Sequence, residues 1–347
     1  MKTSLKTISL LASAAFFTLS NLSAVETVPV GYITTDLIPG ADNFVSVPLK
    51  AAPEFTGAVD STTDGAGTLF IVNAQGSPDF EDFGGTHYIR FLDNAAEGKF
   101  FGISENGSSQ LTIDSLGDDL SGVVQGDRFE IVKFWTLKEL FDPATQDSLV
   151  VSTGNMPFQR GSQVLLPDIA GVGRNRAPKN SFFITSTEWR RSSDFSNADD
   201  VVLMPGTYFI VRQDADAGSK NLTISGTVPT EVLAAYVYEE TVDNDTLLTH
   251  GRPSEVRLDE LGLGSEFVDS TGNLPFQRND HLLVWENPTG RNPAPDSTYF
   301  RVGGEWRRSS DFSPANDVKI GPHTAFIIRK KGKASPVTKV WKNNPTY

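Results

Sequence analysis

Short apolar runs separated by turn residues are the main pattern of the chain. In the first part, glycine and proline residues lie between the runs, and Asn106-Gly107 joins two of them as a typical hairpin turn. The runs occupy residues 43–49, 67–73, 87–92, 99–104, 110–113 and 127–132. Runs of this length and spacing predict the strands of a small β-sandwich or barrel.

The rest of the chain continues this pattern. Strands are predicted at residues 163–166, 181–185, 207–212, 281–285, 298–302 and 324–329. The runs 207–212 and 324–329 are apolar on both faces, which is typical of central strands. Thr136 and Glu139 have the spacing of a capping box, and residues 253–255 begin a comparable segment. We therefore expect a mostly β protein, made of tandem small β-sandwich or barrel units with a few short helices.

Two long motifs occur twice. Residues 152–160 recur as 270–278 with one difference, Met156 against Leu274, and residues 188–196 recur unchanged as 305–313. Between these motifs, residues 173–175 match residues 290–292. The offset is 118 for the first motif and 117 for the second, which places a one-residue difference in the loop before Gly173 and Gly290. The matches indicate a duplication, and residues 152–213 should superpose on residues 270–330.

These patterns predict four segments. Residues 1–24 are expected to be a signal peptide, and residues 25–133 an N-terminal β domain. Residues 134–228 form the first repeat unit, and residues 229–347 form the second, which ends in a basic tail. The basic residues of that tail are Arg329, Lys330, Lys331, Lys333, Lys339 and Lys342.

The N-terminus predicts export. Lys2 and Lys6 precede an uncharged apolar stretch at residues 8–19, and residues 22–24 end it with small residues, so the mature chain should begin near Val25. The apolar stretch is too short to cross a bilayer as a helix, and no later segment is long enough to do so. We expect a secreted, periplasmic or extracellular protein without a membrane span.

The amino-acid composition of the chain excludes several kinds of site and one class of partner. The chain contains no cysteine, which excludes disulfides, thiol nucleophiles and thiolate metal sites. Its net charge is −13, and it becomes −15 once Lys2 and Lys6 leave with the signal peptide. Because such a surface repels phosphate backbones, nucleic acid is not an expected partner.

Several stretches, taken in order, resemble an uncharacterised family of exported bacterial proteins known mainly from the verrucomicrobial group. They are residues 30–32, 44–49, 126–127, 134–137, 164–168, 189–190 and 200–212. The resemblance covers about residues 28–228, and the second unit looks like an added copy of the family's C-terminal part. It implies export and a β fold, and it implies no activity, ligand or catalytic residue.

Catalytic and metal signatures are weak. The four histidines lack metal-ligand spacing, and the chain has no nucleophile elbow, phosphate-binding loop or dinucleotide-binding motif. Paired acids are too numerous to single out a glycosidase pair. The sequence therefore favours a non-enzymatic protein, and it predicts neither cofactor nor metal.

One repeated group remains as a candidate ligand site. Tryptophan beside arginine, asparagine and aspartate suits stacking on a sugar ring and hydrogen bonding to its hydroxyls. The alternative is a buried tryptophan with arginine–aspartate pairs that hold a turn. Burial of Trp189 and Trp306 would favour this alternative, and exposure would favour a sugar site. The group consists of Arg174, Asn175, Trp189, Arg190, Arg191 and Asp194, and of Arg291, Asn292, Trp306, Arg307, Arg308 and Asp311.

Two functional hypotheses follow. The first is an exported structural or adhesive protein of the periplasm, cell surface or extracellular matrix. The second is a carbohydrate-binding module or a polysaccharide-active protein. Surface polysaccharide and other surface proteins are the candidate partners.

Overall fold

The computed structural model describes residues 28–80, 82–286 and 289–345. The predicted signal peptide and the predicted start of the mature chain lie outside these residues. The described chain is mostly β, with one short α-helix, α1 (Leu137–Leu140). Its 3₁₀ helices are Asn94–Ala96, Pro157–Gln159, Leu258–Glu260 and Pro275–Gln277. This confirms the expected fold class.

Twenty-four strands are present in the described residues. They are β1 (Val30–Leu37), β2 (Asp42–Ser46), β3 (Pro53–Asp64), β4 (Leu69–Ala74), β5 (His87–Phe91), β6 (Phe100–Asn106), β7 (Gln110–Asp114), β8 (Arg128–Lys133), β9 (Trp135–Thr136), β10 (Gln163–Leu166), β11 (Asn180–Ile184), β12 (Trp189–Arg191), β13 (Val202–Leu203), β14 (Tyr208–Arg212), β15 (Lys220–Thr227), β16 (Leu233–Val237), β17 (Asn244–Leu248), β18 (Val256–Arg257), β19 (His281–Trp285), β20 (Ser297–Val302), β21 (Glu305–Arg308), β22 (Lys319–Ile320), β23 (Ala325–Lys330) and β24 (Lys339–Asn343).

The first module is a closed barrel. Its strands follow the order β3-β4-β7-β6-β5-β8, and its interior is filled by apolar side chains such as Val59, Ile89 and Phe129. The long strand β3 pairs with both β4 and β8 and is bulged on each side. Because bulges bend a strand and increase its twist, β3 can reach both neighbours and close the barrel.

Two five-stranded sheets and four two-stranded ladders contain the other strands of the described residues. The strand orders of the two sheets are β12-β11-β10-β14-β2 and β21-β20-β19-β23-β17. Corresponding strands also pair in the same register, since Asp42 lies opposite Arg212 in one sheet and Asp245 lies opposite Arg329 in the other. The two-stranded ladders β1-β15 and β9-β13 in one unit correspond to β16-β24 and β18-β22 in the other.

The first unit contains residues from both sides of the barrel. Strands β1 and β2 pair with β15 and β14, so residues 30–46 belong to the first unit and the barrel is inserted between β2 and β9. The structure therefore differs from the expected N-terminal domain of residues 25–133: the barrel extends from β3 to β8, over residues 53–133, and β1 and β2 belong to the first unit. The short run at 43–49 looks like a barrel strand locally, and its true partner lies far away in the sequence.

The basic C-terminal segment is part of the second sheet system. Residues 325–330 form β23 and residues 339–343 form β24, and Trp341 is fully buried. Lys330 and Lys333 contact the buried Glu239, and Arg329 pairs with Asp245. The structure therefore replaces the expected basic tail with paired strands whose charges are largely used within the unit.

A buried charge network joins the three modules. Lys50 Nζ lies 2.6 Å from Glu130 Oε1 of the barrel and 3.4 Å from Glu231 Oε2 of the segment that leads into the second unit. Arg90 approaches both carboxylates at 3.5 Å, and it donates to the carbonyl oxygens of Glu231 and Val232. Because a buried charge is costly without a partner, the four groups hold the modules in one arrangement.

We predict that Glu130→Ala destabilises the protein strongly. The substitution leaves Lys50 and Arg90 buried with only Glu231 to balance them, which should cost about 3–5 kcal/mol. The exposed pair of Glu255 and Lys319 provides the control, because Glu255→Ala should change the unfolding free energy little. Urea denaturation of both variants measures the difference, and equal losses would contradict the network.

Candidate functional site

Both tryptophans of the repeated group are buried anchors. The exposed fraction is 0% for Trp189 and 3% for Trp306. Trp189 donates its indole N–H to the carbonyl oxygen of Phe141 (2.9 Å) and its backbone N–H to Asp199 Oδ1 (2.8 Å). Trp306 packs against Phe267, with ring centroids 4.8 Å apart. Neither indole face is available to stack on a sugar.

The arginines beside the tryptophans bond to neighbouring side chains. Arg190 Nε donates to Glu188 Oε1 (2.8 Å), and its Nη1 donates to Asn155 Oδ1 (3.0 Å). Arg191 donates to Asn180 Oδ1, and its guanidinium lies over the Phe182 ring.

In the second unit, Arg307 pairs with Glu305 at 3.4 Å. Arg308 donates to Ser297 Oγ (3.0 Å) and lies over the Tyr299 ring. All four arginines therefore make contacts within their own units.

The two aspartates shape a turn. Asp194 Oδ1 accepts hydrogen bonds from the backbone N–H and the hydroxyl of Ser196, and Asp311 does the same with Ser313. These bonds lower the pKa of both carboxyls. The turn places Phe195 and Phe312 in the left-handed backbone region, at φ 62° and 64°. That conformation is unfavourable for a bulky residue, so the surrounding contacts must fix it.

Arg160 and Arg278 make the contacts that fix the backbone conformation of Phe195 and Phe312. The guanidinium of Arg160 lies 4.8 Å from the Phe183 ring centroid and 5.8 Å from that of Phe195. It also donates to the carbonyl oxygens of Asn155 (2.9 Å) and Ser192 (3.2 Å).

Arg278 repeats this pattern with Phe300, Phe312, Asn273 and Ser309. Within each unit, the arginine that ends the first repeated motif thus packs into the turn formed by the second repeated motif. This link explains why both motifs recur together.

The arginine–asparagine loops lie at the interface between the units. The backbone N–H of Asn292 donates to Asp42 Oδ2 (2.8 Å), and that of Asn175 donates to Asp245 Oδ2 (2.8 Å). Arg174 pairs with Asp243 at 3.3 Å. Each loop therefore docks on the edge strand of the other unit's sheet.

The contact is reciprocal throughout. Backbone N–H groups of Asp42 and Asp245 donate to the carbonyl oxygens of Gly290 (3.0 Å) and Gly173 (3.1 Å), respectively. Burial raises the pKa of the Asp42 carboxyl, but its bonds to Arg212 and Asn292 and the charges of Arg212 and Arg291 outweigh burial, so this pKa lies below its ordinary value. Phe44 of one unit stacks on Trp285 of the other, with centroids 5.2 Å apart. The interface is thus a pseudo-twofold one with an apolar centre.

The predicted group therefore separates into two structural sites. Its tryptophans, adjacent arginines and aspartates form the pinned turn, while its Gly-Arg-Asn loops join the units. Sequence reasoning missed Arg160, Arg278, Asp42 and Asp245. The first two were visible as repeated residues; the two aspartates lie in short strands with little similarity around them.

The repeated motif at 152–160 exposes two large apolar side chains, of which the phenylalanine is the more exposed; Met156 and its counterpart Leu274 are 53% and 50% exposed. Phe158 is 83% exposed and its counterpart Phe276 is 76% exposed. Most other positions of the motif have internal contacts: the Gln159 carbonyl oxygen accepts from Thr153, and Ser152 Oγ accepts from Gly161. A Cβ on Gly154 would displace the Gln159 side-chain amide, whose Oε1 accepts from the backbone N–H of Met156 (3.3 Å). The motif thus holds an apolar ring in solvent on a proline-initiated 3₁₀ turn.

Three further features of the described residues concern clefts, metal-binding groups and membrane-spanning helices. A cleft of about 860 Å³ lies between the units, and Phe276, His281 and Arg329 are among its lining residues. Within residues 28–80, 82–286 and 289–345, no group of three or more acidic or histidine side chains is arranged to hold a metal ion. No helix in the same residues is long and apolar enough to cross a membrane.

Fold and site together define an all-β protein with a barrel inserted into one of two matching sheet units. Comparison with family models, curated proteins and solved structures finds no match for this chain.

We predict that Trp189→Ala and Trp306→Ala each destabilise the protein by about 3–5 kcal/mol, because each removes a large buried side chain. Phe158→Ala and Phe276→Ala should change stability by no more than about 0.5 kcal/mol, since both rings are exposed. Thermal melts of the four variants provide the measurement. Parent-like melting of the tryptophan variants would contradict their anchoring role.

Proposed function

We propose that this is an exported, non-enzymatic structural or adhesive protein that binds surface material through Phe158 and Phe276. Export rests on the predicted signal peptide and on the resemblance to an exported bacterial family. The duplication inferred from the sequence gives the chain two equivalent binding turns. The periplasm, the cell surface and the extracellular matrix are the proposed locations.

The observation that carries the proposal is the high exposure of these two rings in a motif whose polar groups mostly make internal hydrogen bonds. An exposed phenylalanine costs solubility and adds little to stability. Its occurrence in both units therefore points to a contact with another molecule. The turn is rigid, since Pro157 begins it and Arg160 fixes its end, so little conformational entropy is lost when the ring binds.

Carbohydrate binding remains the second candidate, with a different set of residues. The burial of Trp189 and Trp306 argues against the predicted tryptophan platform. An exposed aromatic ring beside amide side chains suits sugar stacking, and Asn155 and Gln159 lie in the same turn as Phe158. The second candidate therefore uses the same surface as the first and differs in the bound material.

The test measures binding of the mature protein to insoluble envelope and matrix material from producing cells. Alanine at Phe158 or at Phe276 should weaken binding about tenfold, as expected for the loss of an aromatic anchor worth ~1–2 kcal/mol. The double variant should lose more than either single variant, because two linked sites bind with avidity.

Leu116→Ala supplies the matched control. Leu116 is an exposed apolar residue of the barrel, outside the repeated motifs, and its removal should leave binding unchanged. Parent-like binding by the double phenylalanine variant would refute the proposal. Protease treatment of the envelope material should abolish binding if proteins are bound, and periodate oxidation should do so if sugars are bound.

A further inference from the structure

The second unit contains a buried lysine between two buried acids. Lys330 ends β23, Asp280 directly precedes β19, and Glu239 follows β16. Their side chains are 0%, 1% and 2% exposed, respectively. Lys330 Nζ contacts Asp280 Oδ2, lies 3.4 Å from Glu239 Oε1 and donates to the carbonyl oxygen of Glu266 (2.6 Å).

The first unit has a neutral pair at the same place. Gln213 and Ser162 occupy the positions that match Lys330 and Asp280. Ser162 Oγ bonds to Gln213 Oε1, and Gln213 Nε2 donates to the carbonyl oxygen of Ser148 (2.8 Å). The sheet therefore folds without charges at these positions. A buried ion pair is seldom more stabilising than a neutral replacement, so its presence in the second unit calls for another role.

We propose that Lys330 and Asp280 condense into an intramolecular amide bond, with Glu239 as the proton carrier. The bond would link β23 to β19, which are neighbours in the second sheet. The chain has no cysteine, so the amide is a covalent cross-link that needs no disulfide.

The reaction starts with a proton shift from the ammonium of Lys330 to Oδ2 of Asp280, the oxygen that its Nζ contacts. All three side chains are buried, so little water reaches the pair. The amine nitrogen then attacks Asp280 Cγ, to which it is already held close. Charge that develops on Oδ1 is stabilised by the backbone N–H of Lys331, 3.3 Å away.

Glu239 completes the proton transfers. Burial raises the pKa of the Glu239 carboxyl, but the hydrogen bond from Lys333 and the charges of Lys330, Lys333 and Lys339 outweigh it, so this pKa lies below its ordinary value. The carboxylate accepts a proton from the attacking nitrogen and returns it to the hydroxyl at Oδ2. The C–O bond breaks, one water leaves and the amide forms. No oxidant, reductant or cofactor takes part.

The test is the intact mass of the full mature protein. The expected mass is that of the sequence less one water, and digestion should yield a branched peptide that joins residues 280 and 330. The peptide is needed because an aspartate that cyclises elsewhere also loses water. Folded protein at the full sequence mass, without the branched peptide, would show an ordinary ion pair and overturn the proposal.

Three variants test the amide bond and the role of Glu239 separately. The double variant Asp280→Ser, Lys330→Gln copies the neutral pair of the first unit; it should fold with an unchanged circular dichroism spectrum and lose no water. Asp280→Asn should lose ammonia in place of water, because the leaving group changes. Glu239→Gln should slow cross-linking at least tenfold, and an unchanged rate would remove Glu239 from the mechanism.

Discussion

Each sheet unit presents one aspartate to the loop of the other unit, and the arrangement of the two units depends on this reciprocal contact. Asp42 and Asp245 both receive an arginine from their own sheet and a backbone N–H from the opposite Asn292 or Asn175. Each carboxylate is buried and therefore needs both donors. This contact fixes the position of the two loops. The loops hold the two sheets face to face, and Phe44 stacks on Trp285 between the sheets. The charge network at Lys50 then fixes the barrel against both units.

The local pattern of the sequence was enough to predict half of the strands and the fold class. Strand β19 begins and ends where the apolar run predicted, and Thr136 and Glu139 form the expected capping box at α1. Strand β3 was missed because its serines, threonines and acids hide any apolar alternation. The barrel insertion was missed because β2 finds its partner, β14, far along the chain. Short-range periodicity contains no information about such pairings.

The candidate site shows the same limit. Repetition pointed to Trp189 and Asp194, but a repeated core and a repeated surface give the same signal. Burial separates them: Trp189, Arg160 and Asp194 hold a turn, while Phe158 projects from it. The pair Lys330 and Asp280 was hidden for the opposite reason, because it differs between the units. In this protein the repeated residues indicate the fold that the two units share. The positions that differ between the units indicate features of the second unit alone.

The reciprocal contact between the units is tested most directly by the stability of the variants Asp42→Ala and Asp245→Ala. The variants Asp194→Ala and Asp311→Ala, in the exposed turns, serve for comparison. If the reciprocal contact joins the units, each of the first two variants should lose about 3 kcal/mol of unfolding free energy in urea, since each removes the carboxylate partner of an arginine and leaves a backbone N–H without its acceptor. The two losses should be similar, and the turn variants should lose clearly less. Parent-like stability of both Asp42→Ala and Asp245→Ala would contradict the account.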